Sequence, residues 1–333
     1  MAEERFLILR MGALGDIIHT LPAVSALRES FPRAHIDWLV DRKWHPLLGG
    51  NPDVNVTIPM DRTSWGGVIW AVRRLRETRY TCVIDFQSLY RTAILGQLSG
   101  APRRVGFAAT YARERGAEFF YTEKIAPVRR HKVEHNLELV ESVGARVTTI
   151  RFPLKISAEA EQQAANILTA RSIRDYFVLS PGGGWRSKCW PAERYGELHR
   201  TLAARYGWKG IINFGPGERA LAEIASRAAG EALPLMESLD LPPLMALLKN
   251  ARFVVAADTG PLHLASALGT PVVGLYGPTD PARNGPYSAK DIVVRNATAE
   301  ETTYRRGKSP APSMLSITVE QVLDAIGHRL RAN

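Results

Sequence analysis

One segment of the sequence has residue types and an order that suit the binding of an anion. The segment is a turn between a strand-like run and the start of a helical pattern. It is formed by Asp258, Thr259, Gly260 and Pro261, and His263 follows shortly after. A helix that begins there leaves backbone N–H groups without intrahelical partners, and these groups and the helix dipole favour a phosphate. Gly260 allows a ligand to approach the backbone closely. We predict a phosphate site beside Asp258, whose carboxylate accepts hydrogen bonds from hydroxyls; a simple helix cap explains the segment equally well.

Two more loops follow strand-like runs in the same half of the chain. One has three consecutive glycines at 182–184 and continues to Lys188, whose mobile charge suits a phosphate. The other ends at Glu218, which suits a ribose diol or, alternatively, the positive start of a helix. Because carboxyl ends of parallel strands meet at one edge of a sheet, we expect both loops to converge on the turn at 258–261.

A carboxylate also follows the first strand-like run. Gly12 and Gly15 indicate a tight turn there, and Pro22 predicts that the next helix begins near Thr20 or Leu21. Asp16 is therefore expected in or near the turn, where it could accept a proton from a nucleophile. The alternative is a helix-capping aspartate worth about 1 kcal/mol, and position alone favours that cap. The turn matches neither the dinucleotide-binding glycine fingerprint nor the Gly-Lys-Ser/Thr phosphate loop.

Short β-rich runs alternate with longer amphipathic stretches along the whole chain. The predicted strands cover 6–9, 35–40, 54–58, 82–85 and 103–106 in the first half and 176–180, 210–214, 253–257 and 271–275 in the second. Helical patterns lie between them, notably at 23–30, 68–77, 192–206, 218–229, 243–249 and 261–268. This alternation predicts an α/β protein with parallel sheets covered by helices.

The chain of 333 residues is long enough for two domains. We place the boundary after 151–157, which gives a first domain of 1–157 and a second of 158–333. A final amphipathic helix is expected at 318–331, and it could pack back on the first domain. Two such domains facing each other form a cleft, and we expect ligands at the strand ends inside it.

Composition indicates a globular protein of the cytoplasm. Hydrophobic residues make up 45% and charged residues 23%, and no apolar run approaches the roughly 20 residues that cross a bilayer. The start of the sequence lacks the apolar region of a secretory signal. Two cysteines indicate neither a disulfide framework nor a structural zinc site.

The net charge of +10 implies attraction to something anionic. Nucleic acid, an anionic membrane surface and a phosphorylated substrate all qualify. The sequence has no zinc finger, basic zipper or aromatic RNA-binding motif, which argues against nucleic acid. Much of the excess charge could also simply solvate the surface.

Taken together, the motifs resemble the heptosyltransferases of glycosyltransferase family 9, which build the inner core of lipopolysaccharide from ADP-heptose. The resemblance runs over nearly the whole chain. Its motifs are Gly-Asp-Ile-Ile-His-Thr-Leu-Pro at 15–22, Val-Ile-Asp-Phe-Gln-Ser-Leu at 83–89, Lys-Cys-Trp-Pro at 188–191, Asp-Thr-Gly-Pro-Leu-His at 258–263 and Leu-Tyr-Gly-Pro-Thr-Asp-Pro at 275–281. It implies a GT-B fold of two Rossmann-like domains, with the donor in the second and the acceptor in the first.

The resemblance also implies an inverting reaction without a metal ion or other cofactor. In it, Asp16 matches the general base and Lys188 a lysine on the donor phosphate. Asp258 matches a residue near the heptose, and Glu218 more loosely a ribose-binding glutamate. The remaining donor positions are those of the phosphate-binding turn and the following helix, Thr259, Gly260 and His263.

The acceptor of typical relatives is an anionic lipid A–Kdo glycolipid. The first domain offers basic residues that suit it, namely Arg104, Arg129, Arg130, His131 and Lys132. Together they fit an enzyme that takes its acceptor from the inner face of the inner membrane. The chain departs from many relatives on this side, with Gln-Ser-Leu at 87–89 and Arg-Thr at 91–92. Three alternatives remain: a transferase of this fold that uses a different nucleotide sugar or a protein acceptor, a nicotinamide-dependent oxidoreductase, and a non-catalytic nucleotide binder. The missing dinucleotide fingerprint disfavours the oxidoreductase.

Overall fold

The computed structural model describes residues 4–230 and 235–331. The chain divides into two compact units, Met1–Lys155 and Ile156–Asn333, and each has its own six-stranded sheet. The sequence placed this boundary after residue 157. Within both sheets the neighbouring strands are parallel, and helices connect them, which is the alternation that the sequence predicts.

The sheet of the first unit has the strand order β3-β2-β1-β4-β5-β6. Its strands are β1 (Arg5–Leu9), β2 (His35–Asp41), β3 (Val56–Met60), β4 (Cys82–Asp85), β5 (Arg103–Phe107) and β6 (Glu123–Ile125). Its α-helices are α1 (Leu14–Ile18), α2 (Leu21–Ser30), α3 (Trp65–Glu77), α4 (Tyr90–Leu98) and α5 (Lys132–Ser142).

Strand β1 is central because it is apolar along its length. Its last four residues are buried, which is typical of a parallel strand covered by helices on both faces. It pairs with β2 on one side and with β4 on the other. The chain thus changes direction across the sheet beside β1, and ligands in such sheets bind at the strand ends near this reversal. Asp16 follows β1 at that edge.

The sheet of the second unit has the order β12-β11-β10-β7-β8-β9. Its strands are β7 (Tyr176–Ser180), β8 (Lys209–Asn213), β9 (Leu235–Glu237), β10 (Val254–Ala257), β11 (Val272–Tyr276) and β12 (Ile292–Arg295). Its α-helices are α6 (Ala158–Thr169), α7 (Ala192–Tyr206), α8 (Arg219–Ala228), α9 (Leu241–Lys249), α10 (Gly260–Ala267), α11 (Pro281–Asn284), α12 (Pro312–Leu315) and α13 (Val319–Arg331). The central strands β7 and β10 are wholly buried, and the glycine-rich loop and Asp258 follow them directly.

The final helix, α13, belongs to the second unit. Its apolar side chains Val322, Ala325 and Ile326 join that unit's core, where the helix packs against β11, β12 and α7. The sequence also allows this helix to pack back on the first domain, which stays a prediction. In the structure the apolar face of α13 covers its own unit's sheet.

The strands and helices absent from the sequence prediction are short or lack a clear period. They are β6, β9 and β12 among the strands and α1, α4, α5, α11 and α12 among the helices. The segment expected as a loop, 297–313, has no helix or strand before α12 begins at Pro312. None of the helices in residues 4–230 and 235–331 combines the length and the apolar character needed to span a membrane.

Candidate active site

Asp258 is the centre of a side-chain cluster in the second unit. It follows β10, is only 7% exposed, and contacts three residues from three different loops. Its Oδ2 accepts hydrogen bonds from Lys188 Nζ at 2.5 Å and from Asn284 Nδ2 at 2.8 Å, and its Oδ1 lies 3.1 Å from His263 Nε2. The turns after β7, β10 and β11 therefore meet at one carboxylate, as the strand-end argument predicts.

The charges in this cluster keep Asp258 ionised. Burial by itself raises the pKa of a carboxyl group, but the hydrogen bond from His263 and the positive charge of Lys188 outweigh it. The pKa of Asp258 consequently lies well below its ordinary value. The Tyr276 side chain also interacts with this carboxylate, and burial and the charge of Asp258 both raise the pKa of Tyr276. Asp258 therefore holds groups from several segments of the second unit around one negative charge.

The start of α10 offers free donors next to this cluster. Thr259 is its N-cap residue but makes no capping hydrogen bond through its side chain, and Pro261 occupies the first turn. The Oγ1 of Thr259 is buried and has no hydrogen-bond partner among the described residues. Thr259 and Gly260 are themselves partly exposed. The uncapped helix start and the unused hydroxyl are the groups that an anion requires.

The glycine-rich loop is shaped by the side chains that press against it. A Cβ on Gly182 would lie 2.1 Å from Glu218 Oε2, so the carboxylate occupies the space of a side chain. A Cβ on Gly183 would be 3.4 Å from Thr259 Cγ2, whereas one on Gly184 would meet nothing within 4 Å. A side chain at position 182 would therefore have to displace the Glu218 carboxylate, whereas Gly184 faces open space.

Glu218 is fixed at the end of β8 by its own turn. It is the N-cap residue of α8, and its Oε2 accepts a hydrogen bond from the backbone N–H of Gly215 at 2.8 Å. The structure thus shows Glu218 at the start of a helix, while its binding of a ribose stays a prediction. The carboxylate stabilises the turn before α8, and it also lies against the glycine-rich loop that leads to Lys188.

Asp16 is the central carboxylate of the first unit. It lies at the third position of α1, a helix of five residues that the sequence did not predict, while α2 begins at Leu21 as expected. Its Oδ1 is 2.8 Å from Arg10 Nη2, and its Oδ2 accepts from the backbone N–H of Ala13 at 3.2 Å. Arg113 Nη1 lies farther away, at 3.7 Å from Oδ2. Asp16 thus caps α1 from inside the helix instead of lying in the turn before it.

The positive charges around Asp16 determine its protonation state. Partial burial raises the pKa of its carboxyl group. The positive charges of Arg10 and Arg113 lower that pKa by more than burial raises it, and the Ala13 N–H and Lys132 add smaller decreases. The net result is a pKa below the ordinary value, so the group is ionised at neutral pH. Its side chain is 33% exposed and therefore accessible to a substrate.

Comparison with known proteins identifies the family of this chain. Residues 69–313 match the family model described as glycosyltransferase family 9 (heptosyltransferase). The chain belongs to glycosyltransferase family 9. Lipopolysaccharide heptosyltransferase 1 of Pseudomonas aeruginosa is 31% identical over 86% of this chain and 82% of its own length.

Solved structures of the family match the whole chain. A family 9 glycosyltransferase from Veillonella parvula superposes with a TM-score of 0.86 at 25% identity, covering 100% of this chain and 99% of its own. The heptosyltransferase WaaC of E. coli, solved with ADP-2-deoxy-2-fluoro heptose, gives 0.74 at 27% identity and covers 97% and 99%. These matches confirm the expected GT-B fold, and family membership confirms that the chain is a glycosyltransferase enzyme.

The basic residues expected to bind the acceptor of this family 9 chain have different surroundings. His131 is the N-cap of α5, and its Nδ1 accepts from the backbone N–H of Val133 at 3.1 Å. Arg129 forms an ion pair with Glu141 at 3.0 Å, and Arg104 donates to backbone carbonyls of the first unit. Lys132 lies close enough to Asp16 to lower its pKa, and Arg130 is exposed. The structure thus brings Lys132 near Asp16, while Arg104 and Arg129 also stabilise the unit itself.

Several residues of the site were missed by sequence reasoning. Arg10 and Asn284 hold the two carboxylates, and neither stands out in the sequence. Trp185 lies beneath two cations, with Lys188 Nζ 4.3 Å and Arg306 Cζ 5.8 Å from its ring centroid. Asn284 lies just beyond the motif at 275–281, which pointed to this loop without assigning it a role. Residues 4–230 and 235–331 contain no group of three or more His, Cys, Asp or Glu side chains suited to a metal ion.

Proposed function

We propose that this enzyme transfers heptose from ADP-heptose to an anionic glycolipid of the lipopolysaccharide inner core. The main support is the cluster of Lys188, Asp258 and His263 beside the uncapped start of α10, in a chain of the heptosyltransferase family. A relative of known structure that binds ADP-2-deoxy-2-fluoro heptose covers 97% of this chain and supports the donor. The match to a lipopolysaccharide heptosyltransferase supports the acceptor class.

The second unit would stabilise the leaving diphosphate. Lys188 supplies a positive charge that Asp258 partly offsets, and the Thr259–Gly260 amides with the α10 dipole supply hydrogen bonds to phosphate oxygens. Preorganised donors of this kind are worth about 2.7–4 kcal/mol each when removed. We therefore propose that lysine and backbone donors hold the diphosphate without a metal ion or other cofactor. Glu218 would bind the ribose. Asp258 would accept a hydrogen bond from a hydroxyl group of the sugar, while His263 holds the Asp258 carboxylate in place.

The first unit would activate the acceptor hydroxyl. Inversion needs one in-line displacement, in which the hydroxyl oxygen forms the new bond to the anomeric carbon as the bond to the diphosphate breaks. Asp16 would take the hydroxyl proton, a role typically worth about 100- to 10,000-fold in rate. Its low pKa ensures that it is ionised, but makes it a weak base. Arg113 is only loosely paired with Asp16, so an anionic acceptor that draws Arg113 away would raise the pKa of this carboxyl group.

Basic residues of the first unit would bind the anionic acceptor. Lys132 is the best supported, because its charge already acts on Asp16. Arg130 is exposed, whereas Arg104, Arg129 and His131 would have to serve the acceptor in addition to their contacts within the unit. An acceptor of this class is held in a bilayer, so we propose that the enzyme works in the cytoplasm at the inner face of the inner membrane. Nucleic acid has no place in this proposal.

The proposal is tested by product detection. The purified protein is incubated with ADP-heptose and a Kdo-containing lipid A acceptor, and the product is identified by mass spectrometry and its anomeric configuration by NMR. We expect a mass gain of one heptose, inversion at the anomeric carbon and no loss of activity in EDTA. UDP-glucose and GDP-mannose serve as competing donors. Transfer from one of these in preference to ADP-heptose would refute the proposal that ADP-heptose is the donor. Retention of the anomeric configuration would refute the proposed inverting mechanism.

A further inference from the structure

The outer surface of α3 is apolar where an exposed helix face normally carries polar side chains. Ile69 and Trp70 are 52% and 48% exposed, while Ala71 and Leu75 on the other face of the helix belong to the core of the first unit. Arg73 is exposed as well and lies on the same face as Ile69 and Trp70, because residues three and four positions apart are neighbours on a helix. Two large apolar side chains and a cation therefore share one exposed strip.

The neighbouring helix α4 extends this strip. It packs beside α3 and presents Arg91 and the 40% exposed Ile94 on its outer face. Arg91 Nη1 also donates to the backbone carbonyl of Arg62 at 3.3 Å, which ties α4 to the loop before α3. We call this surface the α3–α4 patch and define it by Ile69, Trp70, Arg73, Arg91 and Ile94.

The charge of the α3–α4 patch has a single sign. In residues 4–230 and 235–331, no carboxylate forms an ion pair with Arg73 or Arg91. The nearby Arg74 differs, since it pairs with Glu77 at 3.2 Å. Two guanidinium groups without a carboxylate partner, next to exposed apolar side chains, would complement a partner with an anionic surface and an apolar layer below that surface.

We propose that the α3–α4 patch docks the first unit on an anionic lipid bilayer. Trp70, Ile69 and Ile94 would enter the boundary between headgroups and acyl chains, and Arg73 and Arg91 would bind lipid phosphates. Helix α3 has 13 residues and is about 20 Å long, so it would lie in the interface rather than cross it. The inference rests on the proposed function, because a membrane-held acceptor gives the docking its purpose.

Topology relates the two helices of this surface to the edge of the sheet at which the proposed base lies. Helices α3 and α4 begin where β3 and β4 end, and Asp16 follows the end of β1 in the same parallel sheet. All three therefore start from one edge of the sheet. A symmetric pairing of two copies through the patch is disfavoured, because it would bring together arginines that form no ion pair with a carboxylate of the described residues.

Vesicle flotation with the full-length protein tests the proposal. Binding is measured on phosphatidylethanolamine vesicles containing phosphatidylglycerol and on neutral phosphatidylcholine vesicles, at 0.1 M and 0.5 M salt. The variants are Trp70→Gln and the pair Arg73→Gln with Arg91→Gln. The matched controls are Phe119→Gln, an aromatic residue that is 80% exposed, and Arg219→Gln on α8.

We expect binding to the anionic vesicles only, with affinity that falls at the higher salt. The double arginine variant should bind at least tenfold more weakly, since each interfacial charge is worth about fivefold. Trp70→Gln should weaken binding at least fivefold, and both controls should stay within twofold. Circular dichroism and thermal unfolding confirm that each variant is folded. Equal binding of all variants, or no preference for anionic vesicles, would overturn the proposal.

Two further measurements separate docking from the proposed activity and from a protein partner. With a deacylated, water-soluble acceptor, Trp70→Gln should keep the turnover of the unchanged enzyme, while its KM for vesicle-held acceptor rises. Patch-dependent vesicle binding without transfer to either acceptor would sustain the docking and refute the proposed function. A dimer in light scattering that Trp70→Gln dissolves, together with unchanged vesicle binding, would instead make the patch a protein interface and refute the docking.

Discussion

Replacing Asp258 by Asn tests whether this carboxylate holds the donor site together. The substitution keeps the size of the side chain and removes its charge. Lys188 and Asn284 both donate to Oδ2, so the amide oxygen of the new side chain must take that position. Its NH2 group then points at His263 Nε2, which must become an acceptor. The variant therefore loses the ion pair with Lys188 and the negative charge that faces His263.

The expected loss of stability follows from these three contacts. Hydrogen bonds to a charged group contribute about 1.5–3 kcal/mol each, against about 0.5–1.5 kcal/mol for neutral pairs. Neutralising Asp258 should therefore cost about 1 kcal/mol per bond, or about 3 kcal/mol in total, near the 3–5 kcal/mol found when a buried ion pair loses one member. In a domain of this size that corresponds to a fall in Tm of about 6–12 °C.

Differential scanning calorimetry at pH 7 measures this change, with Asp175→Asn as the control. Asp175 forms an ion pair with Arg252 on the surface of the same unit, and its loss should cost less than about 1 kcal/mol. Because folding lowers the pKa of Asp258, its contribution is complete above the ordinary pKa near 4 and is lost as the pH falls through the lower folded value. The difference between variant and parent should hold from pH 7 to 5 and shrink below pH 4. A loss at pH 7 no larger than that of Asp175→Asn would refute this account of the cluster.

Three other substitutions test the remaining parts of the site. Asp16→Asn should lower turnover at least 100-fold with ADP affinity, measured by calorimetry, within threefold; unchanged turnover would remove Asp16 from the mechanism. Lys188→Gln should lower kcat by about 100- to 1,000-fold, the effect of losing one preorganised donor, and a kinetic effect under tenfold would contradict its role at the diphosphate. Gly182→Ala should destabilise the protein by about 1–3 kcal/mol in chemical denaturation, because its Cβ would meet Glu218, whereas Gly184→Ala should not; equal effects would show that Glu218 yields easily.

The fold could be predicted where strands are apolar and central. β1, β7 and β10 are continuous apolar runs, and the helices between them show a clear period. The edge strands β6 and β9 have only three residues each and are half-buried or exposed, so they give little signal. Helix α5 begins inside a basic stretch, and its N-cap is a histidine, which is not among the usual capping residues. The sequence therefore predicted a basic cluster for the acceptor in that stretch, but no helix.

The candidate site could be predicted as far as strand ends determine it. The rule that parallel strands end at one edge brought Lys188, Glu218 and Asp258 together before any contact was known. It could not supply the partners that complete each carboxylate. Arg10 and Asn284 are ordinary polar residues in the sequence, and Arg306 reaches Trp185 from a segment without regular secondary structure. Such partners depend on the path of loops, which local patterns do not encode.

The tether between Lys188 and Asp258 has a consequence for product release. An ammonium group that already has an anionic partner at 2.5 Å gains less from a second anion than an unpaired one would. The ion pair fixes the position of the Lys188 side chain, so the ammonium group would not move with the nucleotide as the nucleotide dissociates. We therefore expect the spent nucleotide to leave readily once the sugar has gone. Affinity for the intact donor then has to come largely from groups other than the charge of Lys188. The sugar and the nucleoside, rather than the phosphates, would therefore determine which donor the enzyme selects.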